Sequence, residues 1–149
     1  MTPEQVKLVQ DSFSKVAPIA GKAADLFYDR LFTIAPEVRP LFPSDLAEQK
    51  KKLMQMLATA VTNLHQVEKI IPAVENLGRR HAGYGVTAQH YEPVGAALLW
   101  TLEQGLGPDF TPAVKTAWTE TYMTVAGVMQ NAAVATALPP GADRQSVRG

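Results

Sequence analysis

Apolar residues recur along this chain at intervals of three and four, and strict alternation is nearly absent, so the pattern predicts helices and no sheet. Thr2-Pro3-Glu4-Gln5 reads as a helix start: a hydroxyl to cap, a proline in the first turn where its missing N–H costs nothing, and Gln at the capping-box position. Val6, Val9, Phe13 and Val16 then share one face. Pro18 marks a corner, after which Ala20, Ala24, Phe27 and Leu31 stripe a second helix. That helix should stop near Ala35, because Pro36 disfavours helical geometry in the residue before it. The three prolines of Pro36-Glu37-Val38-Arg39-Pro40-Leu41-Phe42-Pro43 force a short helical turn followed by irregular chain, with Leu41 and Phe42 expected to be exposed.

Ser44 or Asp45 can cap a long helix striped by Leu46, Leu53, Leu57, Val61 and Leu64, with a break expected at His65 to Lys69. Ile71-Pro72 opens a helix running to about Arg80-His81, and Gly83 and Gly85 supply its exit. Thr87 caps the next, whose face holds Tyr91, Val94, Gly95, Leu98 and Leu102 until Gly105 and Gly107 stop it. Thr111-Pro112 starts the last helix, with Val114, Trp118, Val125 and Met129 inward. Residues 1–137 read as one all-α domain, and the Pro/Gly-rich and polar residues 138–149 as a flexible C-terminal tail.

Composition narrows the chemistry. At 149 residues one hydrophobic core is expected, and 46% apolar residues can fill it without disulfide or metal staples. The absence of cysteine excludes thiolate zinc sites, iron–sulfur clusters and cysteine nucleophiles. Fourteen Lys and Arg against fourteen Asp and Glu give a net charge of zero, which offers no electrostatic case for nucleic acid or an anionic membrane. The N-terminus lacks a basic start followed by an apolar run, and no apolar stretch approaches a spanning helix, so the expectation is a soluble cytoplasmic protein.

His81 is the informative residue. Val74, Leu77 and Gly78 precede it by seven, four and three positions, which puts the imidazole on the apolar face of its helix rather than among Arg79 and Arg80. It is either a core histidine satisfied by one hydrogen bond or a ligand. An imidazole directed into a deep apolar pocket can hold haem iron through one ring nitrogen while the other N–H binds a carbonyl one turn back, here that of Leu77.

The run Leu77-Gly78-Arg79-Arg80-His81-Ala82-Gly83-Tyr84-Gly85-Val86, followed by His90-Tyr91-Glu92-Pro93-Val94-Gly95, resembles the proximal haem region of bacterial single-domain globins of the flavohaemoglobin and neuroglobin-like lineage. The likeness continues through Leu26-Phe27-Tyr28, Pro36 to Phe42, Lys52-Leu53-Met54-Gln55, Ala117-Trp118 and Tyr122, covering about Glu4 to Met129. It implies a globin fold packed around haem b, with His81 as the iron ligand and Phe42 wedged against the porphyrin. Leu53, Leu77, Val86, Tyr91 and Val94 would line the cofactor, and Lys52 would reach a propionate. On the distal side it implies Tyr28 and Gln49 as ligand-facing donors, with Leu53 one turn beyond Gln49. A phenol O–H and an amide N–H in a dry pocket stabilise a diatomic ligand that takes on negative charge. Read without His81, Tyr28 is an ordinary core-edge tyrosine and Gln49 a solvated neighbour of three lysines.

One departure concerns the proximal side. Flavohaemoglobin-type globins pair a tyrosine, matched here by Tyr91, with a glutamate from the last helix, but Met129-Gln130-Asn131-Ala132-Ala133 has no acid. The resemblance therefore implies reversible binding of dioxygen, nitric oxide or carbon monoxide in preference to peroxidase-like chemistry. The enzymatic alternative is nitric oxide dioxygenase, which needs a reductant; with no flavin or nicotinamide module in these 149 residues, a flavin reductase in trans is the expected partner. A haem-free helical interaction domain would explain the periodicity but not an inward His81 together with Tyr28 and Gln49.

The remaining signals are weaker. Gly83-x-Gly85-x-x-Ala88 spells a dinucleotide fingerprint but follows a helix, so it reads as a helix exit. His65 is sixteen residues beyond Gln49, roughly 24 Å along a helix and too far for a second axial ligand. His90 is expected near the surface or a propionate, the acidic residues show no catalytic pairing, and Trp118 and Tyr122 read as core packing.

Overall fold

The structure, a computed structural model, describes residues 1–83 and 86–137. Six α-helices carry the fold: α1 (Pro3–Val16), α2 (Ala20–Ile34), α3 (Ala47–Thr62), α4 (Ile71–Gly83), α5 (Tyr91–Leu106) and α6 (Pro112–Ala137). Among the described residues there is no strand. Among the described residues no helix is long and apolar enough to cross a membrane. The expected tail at 138–149, and the Gly85 part of the exit from α4, lie outside the described residues.

Local chemistry sets most boundaries where the pattern put them. Thr2 caps α1 in a full capping box with Gln5, and α2 stops at Ile34, one residue short of Ala35-Pro36. Gly107, at φ 56°, ends α5 in a conformation that costs a β-carbon dearly. Three expectations need correction. Thr87 caps the short turn Ala88–His90 rather than α5, whose N-cap is His90. Leu46, rather than Ser44 or Asp45, is the N-cap of α3, and Asp45 acts one residue earlier by accepting the Ala47 N–H at 3.0 Å. Leu41 and Phe42 are half-buried rather than exposed, because the turn at Pro36–Leu41 folds them back onto the core.

α1, α2, α5 and the start of α6 enclose the main core, in which Val9, Leu31 and Trp118 are sealed. Trp118 donates its indole N–H to Ser12 Oγ at 2.8 Å, a buried bond that ties α6 to α1. A second cluster of Ala60, Ile70, Val74 and Met129 joins α4 to α6. There the helices nearly touch: a β-carbon on Gly78 would run into the Met129 backbone. α3 packs on α2 and α1 while α4 packs on α6, so these two consecutive helices have different principal partners.

Candidate functional site

The candidate site residues are divided between the two clusters. The main cluster gathers Tyr28, Phe42, Leu53 and Val94, whereas the second gathers Leu77 and Tyr91. Apart from buried Tyr28, these side chains are only half-buried, which leaves apolar surface on two separate elements of the core. Val86 is half-buried too, and its N–H bonds the His81 carbonyl at 3.0 Å, bringing the chain after α4 back beside the histidine.

His81 lies on the last turn of α4, and its Nδ1 is 2.8 Å from the Leu77 carbonyl. A carbonyl only accepts, so Nδ1 carries the proton and Nε2 keeps the lone pair. Burial pushes the imidazole below its ordinary value; the Leu77 bond opposes this and the Arg80 charge adds to it. The ring is therefore neutral at physiological pH, the state a metal requires.

Tyr28, 3% exposed, lies close enough to the Gln49 side chain for it to act on the phenol, so α2 and α3 bring the two sequence-matched polar residues together. Burial raises the phenol's pKa, partly offset by Gln49, and the hydroxyl stays protonated as a donor. The phenol sits in an aromatic cluster, its ring centroid 5.0 Å from Phe27, 5.6 Å from Phe42 and 5.9 Å from Phe32. Behind Leu53 lies a void of about 20 Å³ bordered by Phe27, Thr101 and Trp118. Thr101 Oγ1 donates to the Ala97 carbonyl and the Trp118 N–H to Ser12, so neither has a proton left to offer a water there.

Other residues fall elsewhere. Lys52 is exposed, as is His65. His90 accepts the Thr87 N–H at its Nδ1, 3.0 Å away, and thereby caps the turn before α5. A separate open groove of about 590 Å³ between α1, α2 and α3 contains none of the sequence-matched site residues, and the Asp25–Lys50 ion pair lies on its wall. Tyr122 does more than the packing expected of it: its hydroxyl donates to the Tyr91 carbonyl at 2.6 Å and its ring lies against Gly95. Only the i, i+4 spacing from Trp118 hinted at an inward direction.

Among the described residues no three His, Asp or Glu side chains gather to bind a metal by themselves. A single neutral imidazole, apolar surface on two core clusters and a phenol–carboxamide pair instead fit a metal that arrives in its own flat apolar ligand, which is the class of helical haem-binding proteins.

Comparison with known proteins agrees. Residues 25–129 match the family model described as Globin. The chain is 35% identical over 105 residues, 67% of its length, to a flavohaemoprotein of Bacillus subtilis (strain 168), and spans 26% of that protein. It superposes on a bacterial globin from Campylobacter jejuni with a TM-score of 0.77 at 28% identity, covering 90% of this chain and 97% of the other. An engineered carbene transferase from Rhodothermus marinus, whose parent is named for nitric oxide dioxygenation, superposes with a TM-score of 0.83 at 25% identity, covering 91% and 94%. The chain belongs to the globin family, and that membership together with its flavohaemoprotein relative implies a haem cofactor.

Proposed function

We propose that this protein is a cytoplasmic haem b globin that reversibly binds dioxygen and other diatomic gases. The observation that carries the reading is the His81 imidazole, neutral and fixed by Leu77, on a different core element from the Tyr28–Gln49 pair. Haem, when bound, supplies an iron centre at which dioxygen, nitric oxide or carbon monoxide coordinates.

In this reading the chain does the rest. His81 would hold the metal through Nε2, with ring orientation set by the Leu77 carbonyl. Half-buried Phe42, Leu53, Leu77, Val86, Tyr91 and Val94 would cover the porphyrin, and exposed Lys52 would be the residue to reach a propionate. On the ligand side Gln49 would donate an amide N–H to the Tyr28 oxygen, polarising the phenol and leaving its O–H to point at a ligand carrying negative charge. Leu53 and the largely apolar lining of the small void behind it disfavour water beside the ligand. On the proximal side His81 donates to a neutral carbonyl and α6 carries no acid over 129–133. That departure from the family's proximal acid favours reversible binding over O–O cleavage.

The likeness to the Bacillus flavohaemoprotein and the Rhodothermus protein favours a second reading, nitric oxide dioxygenation with electrons from a flavin reductase. Recombinant protein should show an intense Soret band that His81→Ala largely abolishes; a parent protein that refuses haem sinks both readings. Sustained nitrate production with a supplied flavin reductase selects dioxygenation, and a single turnover selects gas binding.

A further inference from the structure

Sequence reasoning passed over Arg39, yet it makes the densest set of polar contacts near the site. The corner from Pro36 to Ser44 contains three prolines, which lack N–H groups, and its irregular end has no helical ladder to serve its carbonyls. Arg39 supplies the donors. Its Nη1 reaches the carbonyls of Phe42 at 3.3 Å and Pro43 at 2.9 Å, and its Nη2 that of Ser44 at 3.1 Å. The same guanidinium lies 5.1 Å from the Phe32 ring centroid. Phe32 in turn meets Phe42 edge-on at 5.5 Å and Tyr28 at 5.9 Å. None of the ion pairs among the described residues involves Arg39, so its charge is directed at backbone carbonyls and one aromatic face.

We propose that Arg39 is a positioning residue for the ligand-facing side of the site: it fixes the corner that seats Phe42 and, through Phe32, the ring packing that aims the Tyr28 phenol. The inference rests on the haem-globin reading. The chemistry requires arginine: a planar fork can bond three successive carbonyls while lying on a ring, whereas a lysine ammonium is a compact point charge that does neither together. With the fork removed, the carbonyls of residues 42–44 turn to water and the corner loosens. Phe42 and Phe32 then shift, and Tyr28 loses two of its three ring neighbours' fixed positions.

The test compares haem-loaded parent protein with Arg39→Lys, Arg39→Gln and Phe32→Leu. It measures haem transfer to an excess of a haem-accepting apoprotein and the C–O stretch of the carbon monoxide complex. The Arg39 variants should keep their helical far-ultraviolet spectrum and lose haem roughly tenfold faster, the scale of one charged hydrogen bond. Their C–O band should broaden and move toward that of Tyr28→Phe. Phe32→Leu, which leaves the carbonyl bonds in place, should move the band with a smaller effect on haem loss. Parental haem loss and an unmoved band in Arg39→Lys would overturn the assignment, and a parental band in Phe32→Leu would overturn the relay through the ring. A parent protein that takes up no haem refutes the globin reading instead.

Discussion

Gly78→Ala and Gly127→Ala make the same chemical change in the two helices that meet behind His81, and they should act with opposite signs. Adding a methyl group to a helical glycine gains about 1 kcal/mol from backbone entropy and propensity. At Gly127 on α6 nothing lies within 4 Å of the new β-carbon, so the gain is realised in full. At Gly78 on α4 the new carbon would overlap the carbonyl oxygen, α-carbon and carbonyl carbon of Met129. Those are backbone atoms, which cannot swing aside as a side-chain tip would, so the cost belongs at the upper end of overpacking, about 3 kcal/mol. The net effect is a loss of about 2 kcal/mol, or roughly 4–8 °C in Tm at this chain length, against a rise of about 2–4 °C for Gly127→Ala. Because α4 must move off α6 to relieve the overlap, and His81 follows Gly78 by three residues, Gly78→Ala should also speed haem loss. Thermal denaturation of the two variants under one set of conditions is the assay. If Gly78→Ala proves as stable as the parent, the close approach of α4 and α6 that positions His81 is wrong.

Ser12→Ala strands the buried Trp118 indole N–H and should cost about 1–3 kcal/mol in denaturant unfolding; a neutral result would mean that the bond contributes nothing. Tyr28→Phe should accelerate dioxygen dissociation roughly tenfold or more, the worth of a donor to a charged acceptor, and an unchanged rate in stopped flow would remove Tyr28 from ligand stabilisation. Alkaline pH probes Tyr28, Tyr91 and Tyr122, which burial holds above the ordinary phenol value of 10.0, with Tyr91 adding to the shift at Tyr122. The fold retains protons that the unfolded chain releases near pH 10, so this stability is intact below pH 10 and is lost as pH climbs beyond it. Tyrosinate difference absorbance should accordingly show Tyr28, Tyr91 and Tyr122 titrating late, and a single transition near 10 would contradict their burial.

The parts of the fold that could be read along the chain are those whose causes are local. A capping box, a proline at a first turn and a stripe at three- and four-residue spacing act within one helix, and α1 and α2 accordingly begin and end, and α6 begins, within a residue or two of expectation, whereas α5 begins at Tyr91, three residues late, because a separate turn over Ala88–His90 follows Thr87. The start of α3 escaped this logic. Asp45 is an able cap by residue type, but the corner ahead of it sets the entry, and the helix begins after Leu46 with Asp45 reduced to one bond. Exposure at Leu41 and Phe42 was misjudged for the same reason, since a proline-rich stretch has no period from which to read which side faces inward.

The site divides along the same line. The bond from His81 to the Leu77 carbonyl was legible because it spans one helical turn, and the shared face of Gln49 and Leu53 because they lie on one helix. The meeting of Tyr28 with Gln49 required the crossing of α2 and α3, which the residues alone do not fix; only the resemblance pointed to it. Arg39 and Tyr122 lay beyond both kinds of reading. Each supports a site residue by bonding a main-chain carbonyl, of Phe42 in one case and Tyr91 in the other. Every residue offers a carbonyl, so the acceptor leaves no signature in the sequence, and the donor looks like surface charge or core aromatic until the chain folds. A better signal for such residues is scarcity on the donor side: where prolines remove N–H groups from an irregular segment, as at Pro36, Pro40 and Pro43, a nearby arginine is the first place to look for the missing donors.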